Sequence, residues 1–168
     1  MESKKLFLLI VSILLLASCF KDEKEIEYAK VYFPLAARSD ANGVFNTNFS
    51  VDKDTTFIIG AYCSGSIITP EDVRVKIDFA YEEFSDAQAS VSALAGYELM
   101  PEEALVIEPG NMEVVIAAGK ERADLKVTFY TAYLTAGHKY VLPVKISSVS
   151  LYEITEKNSV LFFGVNAK

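Results

Sequence analysis

The sequence predicts an all-β protein, a β-sandwich of about eight short strands. The first observation is a two-residue alternation of apolar and polar side chains, which is the pattern of a strand with one buried face. One such apolar row is Val73, Val75, Ile77 and Phe79. The second observation is that turn-forming clusters, such as Asp40-Ala41-Asn42-Gly43, separate the alternating stretches. The predicted strands are Tyr28–Pro34, Thr55–Cys63, Val73–Ala80, Leu105–Glu108, Met112–Ala117, Ala123–Tyr130, Lys139–Ser147 and Ser159–Val165.

Two connections and one proline depart from this pattern. The stretch 38–48 is polar and contains glycine, so we expect a loop there. The stretch 81–96 is long, rich in small residues and partly helical in composition. A connection longer than about 12 residues is often functional. Pro143 interrupts a predicted strand, and because proline cannot donate to a ladder, we expect that strand to lie at a sheet edge or to carry a bulge.

The N-terminus has the layout of a secretory signal peptide over residues 1–18, with Lys4 and Lys5 ahead of an apolar run. That run is too short to span a bilayer, which takes roughly 20 apolar residues. The sequence Leu16-Ala17-Ser18-Cys19 resembles the lipobox of bacterial lipoproteins. This resemblance implies that Cys19 receives lipid and becomes the first residue of the mature chain. The alternative is an ordinary signal peptide cut near Ala17.

Residues 19–27 are expected to form a solvated acidic tether, because this charged run has no apolar period. Lys21, Asp22, Glu23 and Glu25 also resemble the acidic export signal of Bacteroidetes lipoproteins. That resemblance implies a lipid-anchored protein of the outer membrane, exposed at the cell surface. A plain charged linker is the alternative. The remainder, residues 28–168, is expected to form one β-sandwich domain.

The acidic composition argues against two classes of binding partner, nucleic acid and anionic lipid. The chain of 168 residues has a net charge of −7, whereas proteins that bind nucleic acid display clustered basic faces. The same acidic balance argues against attraction to anionic lipid, so we expect the lipid on Cys19 to be the membrane anchor. With Cys19 lipidated, Cys63 has no disulfide partner. Its alternation with Ile59 and Ala61 predicts a buried thiol.

Six segments stand out by their order and spacing: Val31–Ala36, Asp54–Gly65, Asp72–Ala80, Tyr97–Pro101, Val114–Val127 and His138–Ser150. Together they resemble a family of unknown function found in Bacteroidetes surface lipoproteins. That family is similar to an immunoglobulin-like sandwich, and it is often the N-terminal module ahead of a glycosidase-like or lectin-like domain. The resemblance implies an immunoglobulin-like fold but transfers no functional residues. Because this chain stops after the sandwich, the catalytic or lectin function of the longer members is not carried over to it.

The sequence contains no recognisable catalytic or metal-binding pattern. His138 is the single histidine of the chain, so it is the one possible histidine partner for a catalytic thiol, and a metal site would have to rely on carboxylates. Asp78, Glu82, Glu83 and Asp86 form an acidic group of the kind used in glycoside hydrolysis or calcium binding. A solvated loop face is the preferred explanation. We therefore expect no enzyme activity, no metal and no cofactor.

Aromatic residues are the better lead to a ligand. Tyr81 and Phe84 lie at the start of the long connection, and Tyr130 and Tyr133 flank another one. We expect these four residues to form a sugar-binding platform, because an aromatic ring face matches the apolar face of a pyranose. The alternative is that they plug the core, since aromatic side chains bury a large area.

These observations predict an outer-membrane surface lipoprotein whose non-catalytic sandwich binds glycan, or assembles with an outer-membrane protein of a polysaccharide-utilisation system. The alternative prediction is a structural adhesin or pilus-like subunit, which would assemble by strand addition. The apolar terminal stretch Ser159–Val165 is the strand that would take part in such an assembly.

Overall fold

A computed structural model describes residues 29–65 and 69–168, and it folds them into eleven β-strands and one α-helix. The helix, α1, spans Tyr81–Ser90. Short 3-10 turns span Ala36–Arg38, Ser92–Leu94, Glu102–Ala104, Thr131–Tyr133 and Glu156–Asn158. The strands are β1 (Ala29–Tyr32), β2 (Val44–Phe49), β3 (Thr55–Gly65), β4 (Val73–Phe79), β5 (Tyr97–Leu99), β6 (Leu105–Glu108), β7 (Glu113–Ile116), β8 (Arg122–Phe129), β9 (Lys139–Val149), β10 (Glu153–Ile154) and β11 (Val160–Ala167).

The strands form two sheets that pack face to face. The first sheet has the order β10-β1-β3-β8-β6, and the second has the order β2-β11-β9-β4-β7, with β5 also paired to β9. Most pairs are antiparallel, while β1 with β10, β2 with β11 and β5 with β9 run parallel. The predicted all-β sandwich is therefore confirmed, with more strands in the described residues than the sequence indicated.

The core lies between the sheets and is built from the alternating apolar rows. On β4, Val73, Val75 and Ile77 are completely buried, as the two-residue period predicts. Aromatic rings fill the centre, where Phe163 stacks on Phe129 with ring centroids 5.5 Å apart. Full burial of a side chain of this size contributes about 1.5–3 kcal/mol, so these rows supply most of the driving force for folding.

The prediction of a loop over the whole of 38–48 is wrong, because β2 occupies its second half. This strand pairs in parallel with β11, and its first residue, Val44, lies opposite Phe162. Asn46 and Asn48 gave the stretch a polar composition, but these side chains are on a strand whose two ends, Val44 and Phe49, are buried. A partner strand from the far end of the chain therefore outweighs the low intrinsic strand preference of asparagine.

Pro143 lies in a central strand, so the expectation of an edge position is wrong. Its carbonyl accepts a hydrogen bond of 3.0 Å from the N–H of Ala80, and its nitrogen faces the same side of β9. On that side β5 pairs with β9 as far as Val141, and β4 pairs with it from Val144 onward. Pro143 thus occupies the gap between two partner strands. The bulge expected in this strand does occur, further along at Ser147.

Helix α1 covers the outer face of the second sheet. Phe84 of α1 packs edge-on against Phe162 of β11, with ring centroids 5.3 Å apart. Val44, Leu94, Tyr97 and Val141 complete this small apolar cluster. The long connection after β4 is therefore partly helical, in agreement with its composition. Across residues 29–65 and 69–168, no helix has the length and apolar character required to cross a bilayer.

Candidate functional site

Two aromatic side chains meet where β4 passes into α1. Phe79 is the last residue of β4 and Tyr81 is the first residue of α1. Their rings stack with centroids 5.0 Å apart and an interplanar angle of 11°. The buried Ala80 between them donates its N–H to the carbonyl of Pro143, which fixes the corner in the backbone. Phe79 is 37% exposed and Tyr81 is 41% exposed, so this pair, the aromatic corner, presents ring surface to solvent.

The aromatic corner borders a depression of about 370 Å³, which is also lined by Asp78, Glu82, Glu83 and Lys145. This volume is at the lower end of the range of small-molecule sites, about 300–1,000 Å³. Apolar ring surface thus lies beside carboxylate acceptors and an ammonium donor. Such a combination suits a ligand with one apolar face and a rim of hydrogen-bonding groups.

Two of the side chains that line the depression form an ion pair. Nζ of Lys145 lies 2.6 Å from Oε1 of Glu83. This hydrogen bond lowers the pKa of Glu83 and raises the pKa of Lys145, so both side chains stay charged at neutral pH. The other carboxylate oxygen of Glu83, Oε2, is shut off from solvent and accepts no hydrogen bond from the described residues.

Burial and nearby carboxylates set the electrostatics around Tyr81. Burial raises the pKa of its phenol first, and the carboxylate of Glu102 raises this pKa further. Glu82 and Asp78 also help to raise the pKa of Lys145, after the larger effect of Glu83. The carboxylates of Asp78, Glu82 and Glu102 therefore lie within electrostatic range of Tyr81 or of Lys145 beside it.

Of the residues predicted to form the platform, Tyr81 is exposed at the surface and Phe84 is buried. Phe84 is only 3% exposed, because its ring fills the cluster under α1, and it has no free face for a ligand. Phe79 was missed, because the alternation of β4 placed it in the buried row. It is the last residue of β4, and its ring is exposed there beside Tyr81. Its position two residues before Tyr81 was the available signal.

Tyr130 and Tyr133 form a second exposed aromatic group, 38% and 59% exposed. They flank the turn after β8, and the N–H of Tyr130 donates to the carbonyl of Ala104 at 2.9 Å. This hydrogen bond places the Thr131–Tyr133 turn beside the Glu102–Ala104 turn. The carboxylate of Glu102 in that second turn raises the pKa of Tyr81. Among the described residues, however, no ring contact joins this group to the aromatic corner. The structure thus divides the predicted platform into two groups at one end of the sandwich.

The other residues considered as catalytic or metal-binding candidates lie apart from the depression. His138 makes a one-to-one contact of 2.8 Å with Glu98, and Cys63 is buried in the core. Asp86 lies on α1 outside the lining of the depression. In the parts of the chain that the structure describes, no group of three or more His, Cys, Asp or Glu side chains is arranged to hold a metal ion. Residues 1–18, Cys19 and the predicted export signal Lys21, Asp22, Glu23 and Glu25 lie outside the described residues.

Solved structures share this fold. A "putative carbohydrate binding protein" from Bacteroides ovatus is 23% identical with a TM-score of 0.57, over 82% of this chain and 36% of that one. A multidomain protein from Bacteroides ovatus is 19% identical with a TM-score of 0.64, over 84% and 46% of the two chains. An auxiliary nutrient binding protein from Bacteroides thetaiotaomicron is 15% identical with a TM-score of 0.54, over 76% and 45%. No curated protein matches the chain.

At these identities the solved structures establish the fold, and this chain spans less than half the length of each of the three. A family model described as an N-terminal domain matches residues 24–153. That match covers more than half of the chain, and it agrees with the resemblance to N-terminal modules of Bacteroidetes proteins. The chain belongs to this family of N-terminal domains.

Proposed function

We propose that this protein is a non-catalytic glycan-binding module and that the aromatic corner is its binding surface. The observation that carries the proposal is the exposed stack of Phe79 on Tyr81 beside a depression lined with carboxylates. A pyranose would lay its apolar face on the exposed ring surface. Its hydroxyl groups would then donate to the carboxylates of Asp78 and Glu82.

Two of the solved relatives support a binding role, since their names describe carbohydrate binding and nutrient binding. The state of Glu83 supports a non-catalytic role. Glycoside hydrolysis commonly needs a carboxylic acid with a raised pKa beside a second carboxylate. Glu83 has a lowered pKa instead, because it is held by Lys145.

The proposal places the module at the outer surface of the outer membrane, held there by lipid on Cys19. Two or three acyl chains give stable anchoring, since each buried methylene contributes about 0.8 kcal/mol. Lys21, Asp22, Glu23 and Glu25 would direct export to the surface, where the module would meet glycans and the outer-membrane proteins that import them.

The alternative of a pilus-like subunit gains no support from the terminal strand. β11 is paired on both sides, by β2 and by β9. It is therefore not a free edge, and it would have to leave the second sheet in order to be donated to another subunit. The sequence suggested that the stretch Ser159–Val165 could be donated to another subunit, but it is an interior strand of the second sheet.

A glycan array tests the proposal. The probe is the full chain with Cys19→Ala, compared with the same chain carrying Tyr81→Ala. We expect the first protein to bind a defined set of glycans, and the second to lose up to about tenfold in affinity for them, the scale of one aromatic stacking contact. The matched control is Tyr62→Ala, because Tyr62 lies on β3 in the other sheet. An array silent for all variants, or an equal loss with Tyr62→Ala, would contradict the proposed site.

A further inference from the structure

We propose that the aromatic corner selects glycans that carry a free, protonated amine, such as oligomers of glucosamine, over neutral and acidic sugars. This inference rests on the proposed function, because it names the class of glycan that the same site takes. The aromatic pair and the depression define the site, and the net charge of the surrounding side chains determines whether a cationic or an anionic ligand is favoured.

Four carboxylates surround the aromatic corner. Asp78, Glu82 and Glu83 line the depression. The fourth is Glu102, whose negative charge raises the pKa of the Tyr81 phenol. Two ammonium groups oppose them. Lys145 is held by Glu83 at 2.6 Å, and Lys76 lies 3.8 Å from Asp78. Within the described residues, Glu82 and Glu102 have no ion-pair partner. The surroundings of the corner therefore keep two carboxylates, Glu82 and Glu102, that no ion pair neutralises.

This arrangement favours a cation for two independent reasons. An ammonium within about 6 Å of an aromatic ring face is attracted by the ring quadrupole. Glu82 and Glu102 are exposed acceptors, and a charged donor makes stronger hydrogen bonds with them than a hydroxyl does. A uronic acid would meet repulsion from the same groups.

The geometry of the lysines explains why the protein's own side chains do not satisfy this demand. Lys145 is committed to Glu83. Lys76 donates to the backbone carbonyl of Asn111 as well as contacting Asp78, which holds it on the β7 side of β4. The amine that completes the charge balance over Tyr81 would therefore be supplied by the ligand.

Calorimetry at low salt tests the inference, with the full Cys19→Ala chain as the receptor. The probes are a glucosamine tetramer, its N-acetylated form and a galacturonic acid tetramer. We expect the glucosamine tetramer to bind about tenfold more tightly than the acetylated one, as one charge-assisted contact would give, and the galacturonic acid tetramer to bind least.

Charge variants then locate the effect. The double variant with Glu82→Gln and Glu102→Gln should bring the ratio between the two forms close to one, because it removes the charges that attract the amine and so weakens binding of the glucosamine tetramer most. The matched control replaces two exposed carboxylates elsewhere, Glu71→Gln and Glu156→Gln, and should keep the ratio.

Each alternative outcome has a distinct meaning. Equal binding of the glucosamine and N-acetylglucosamine tetramers would overturn the inference and leave the glycan-binding proposal standing. Silence of both tetramers together with a silent glycan array would refute the proposed function itself. If the tripeptide Gly-Lys-Gly binds as tightly as the glucosamine tetramer, the site recognises amines on peptides, and selection of an amino sugar is refuted.

Discussion

Nζ of Lys145 lies 2.6 Å from Oε1 of Glu83, and this contact ties the first turn of α1 to the outer face of β9. The helix has no side-chain cap at its N-terminus. Glu82 and Glu83 occupy its first turn, where negative charge interacts favourably with the helix dipole. The ion pair therefore holds the start of α1, and with it Tyr81, at a fixed place on the sheet.

The stabilisation by this pair should depend on pH in a defined direction. Glu83 has a pKa below its ordinary value of 4.5, so its contribution is present above that pH and is lost as the pH falls through the lowered pKa. Lys145 has a pKa above 10.5, so its contribution is lost only as the pH rises through the raised pKa. Between these limits the contribution is constant.

Thermal unfolding of the wild type and of Glu83→Gln measures this effect. The difference in melting temperature should be constant near neutral pH and should shrink towards zero in acid. We expect a small difference throughout, because both side chains are about a third exposed and solvent screens the pair. A difference that is independent of pH would show that the carboxylate charge is irrelevant, and Glu113→Gln serves as the control.

Phe84→Ala should destabilise the protein by about 3 kcal/mol, because it leaves a cavity in the cluster between α1 and the second sheet. Tyr81→Ala removes a partly exposed ring and should cost less than about 1 kcal/mol. Urea unfolding of the two variants separates the roles of these neighbouring aromatic residues. A loss with Tyr81→Ala as large as that with Phe84→Ala would mean that Tyr81 is a core residue.

Gly164→Ala should destabilise the protein by about 1–3 kcal/mol, because the site on β11 has no room for a methyl group. An added Cβ would lie 2.6 Å from Cγ1 of Val44 and 2.7 Å from Oδ1 of Asn46. The same Oδ1 accepts a hydrogen bond of 2.6 Å from the hydroxyl of Tyr97, so the clash would also disturb that bond. Gly96→Ala is the matched control, since no atom lies within 4 Å of its added Cβ, and urea unfolding should find it nearly neutral.

Cys63 should resist thiol reagents in the folded protein. Its side chain is buried and unpaired with another cysteine, and burial, followed by the charge of Glu121, raises its pKa above the ordinary value of 9.0. Because the thiolate is the reactive form, both effects slow modification. In the Cys19→Ala chain, labelling should be slow under native conditions and immediate in urea. Rapid native labelling would show that β3 opens locally.

Cys19→Ala should release the protein from membrane fractions without unfolding it, because the described core begins at Ala29. Retention of this variant through a carbonate wash would refute lipid anchoring. Neutral residues in place of Lys21–Glu25 should leave the lipid attached but keep the protein off the cell surface. Protease shaving of intact cells then gives the readout, with the wild type cut and the neutral variant protected.

The sequence by itself determined the class of fold and most of the strands. Alternation on β4, β8 and β9 reflects the geometry of one buried face, and this signal is local. The boundaries of β6, Leu105–Glu108, were predicted without error. Tyr81 was identified as a candidate for ligand contact because it begins an unusually long connection, which is also a local property.

Tertiary structure alone decided which aromatic residues face solvent. Phe79 and Phe84 exchanged their predicted roles, because exposure depends on what covers each ring, and the cluster beneath α1 covers Phe84 while Phe79 stays exposed at the end of β4. The pairing of β2 with β11 and the gap that accommodates Pro143 likewise depend on strands distant in sequence. A two-residue period reports which side of a strand a residue faces, whereas burial requires a second element to cover that side, and that element comes from elsewhere in the chain.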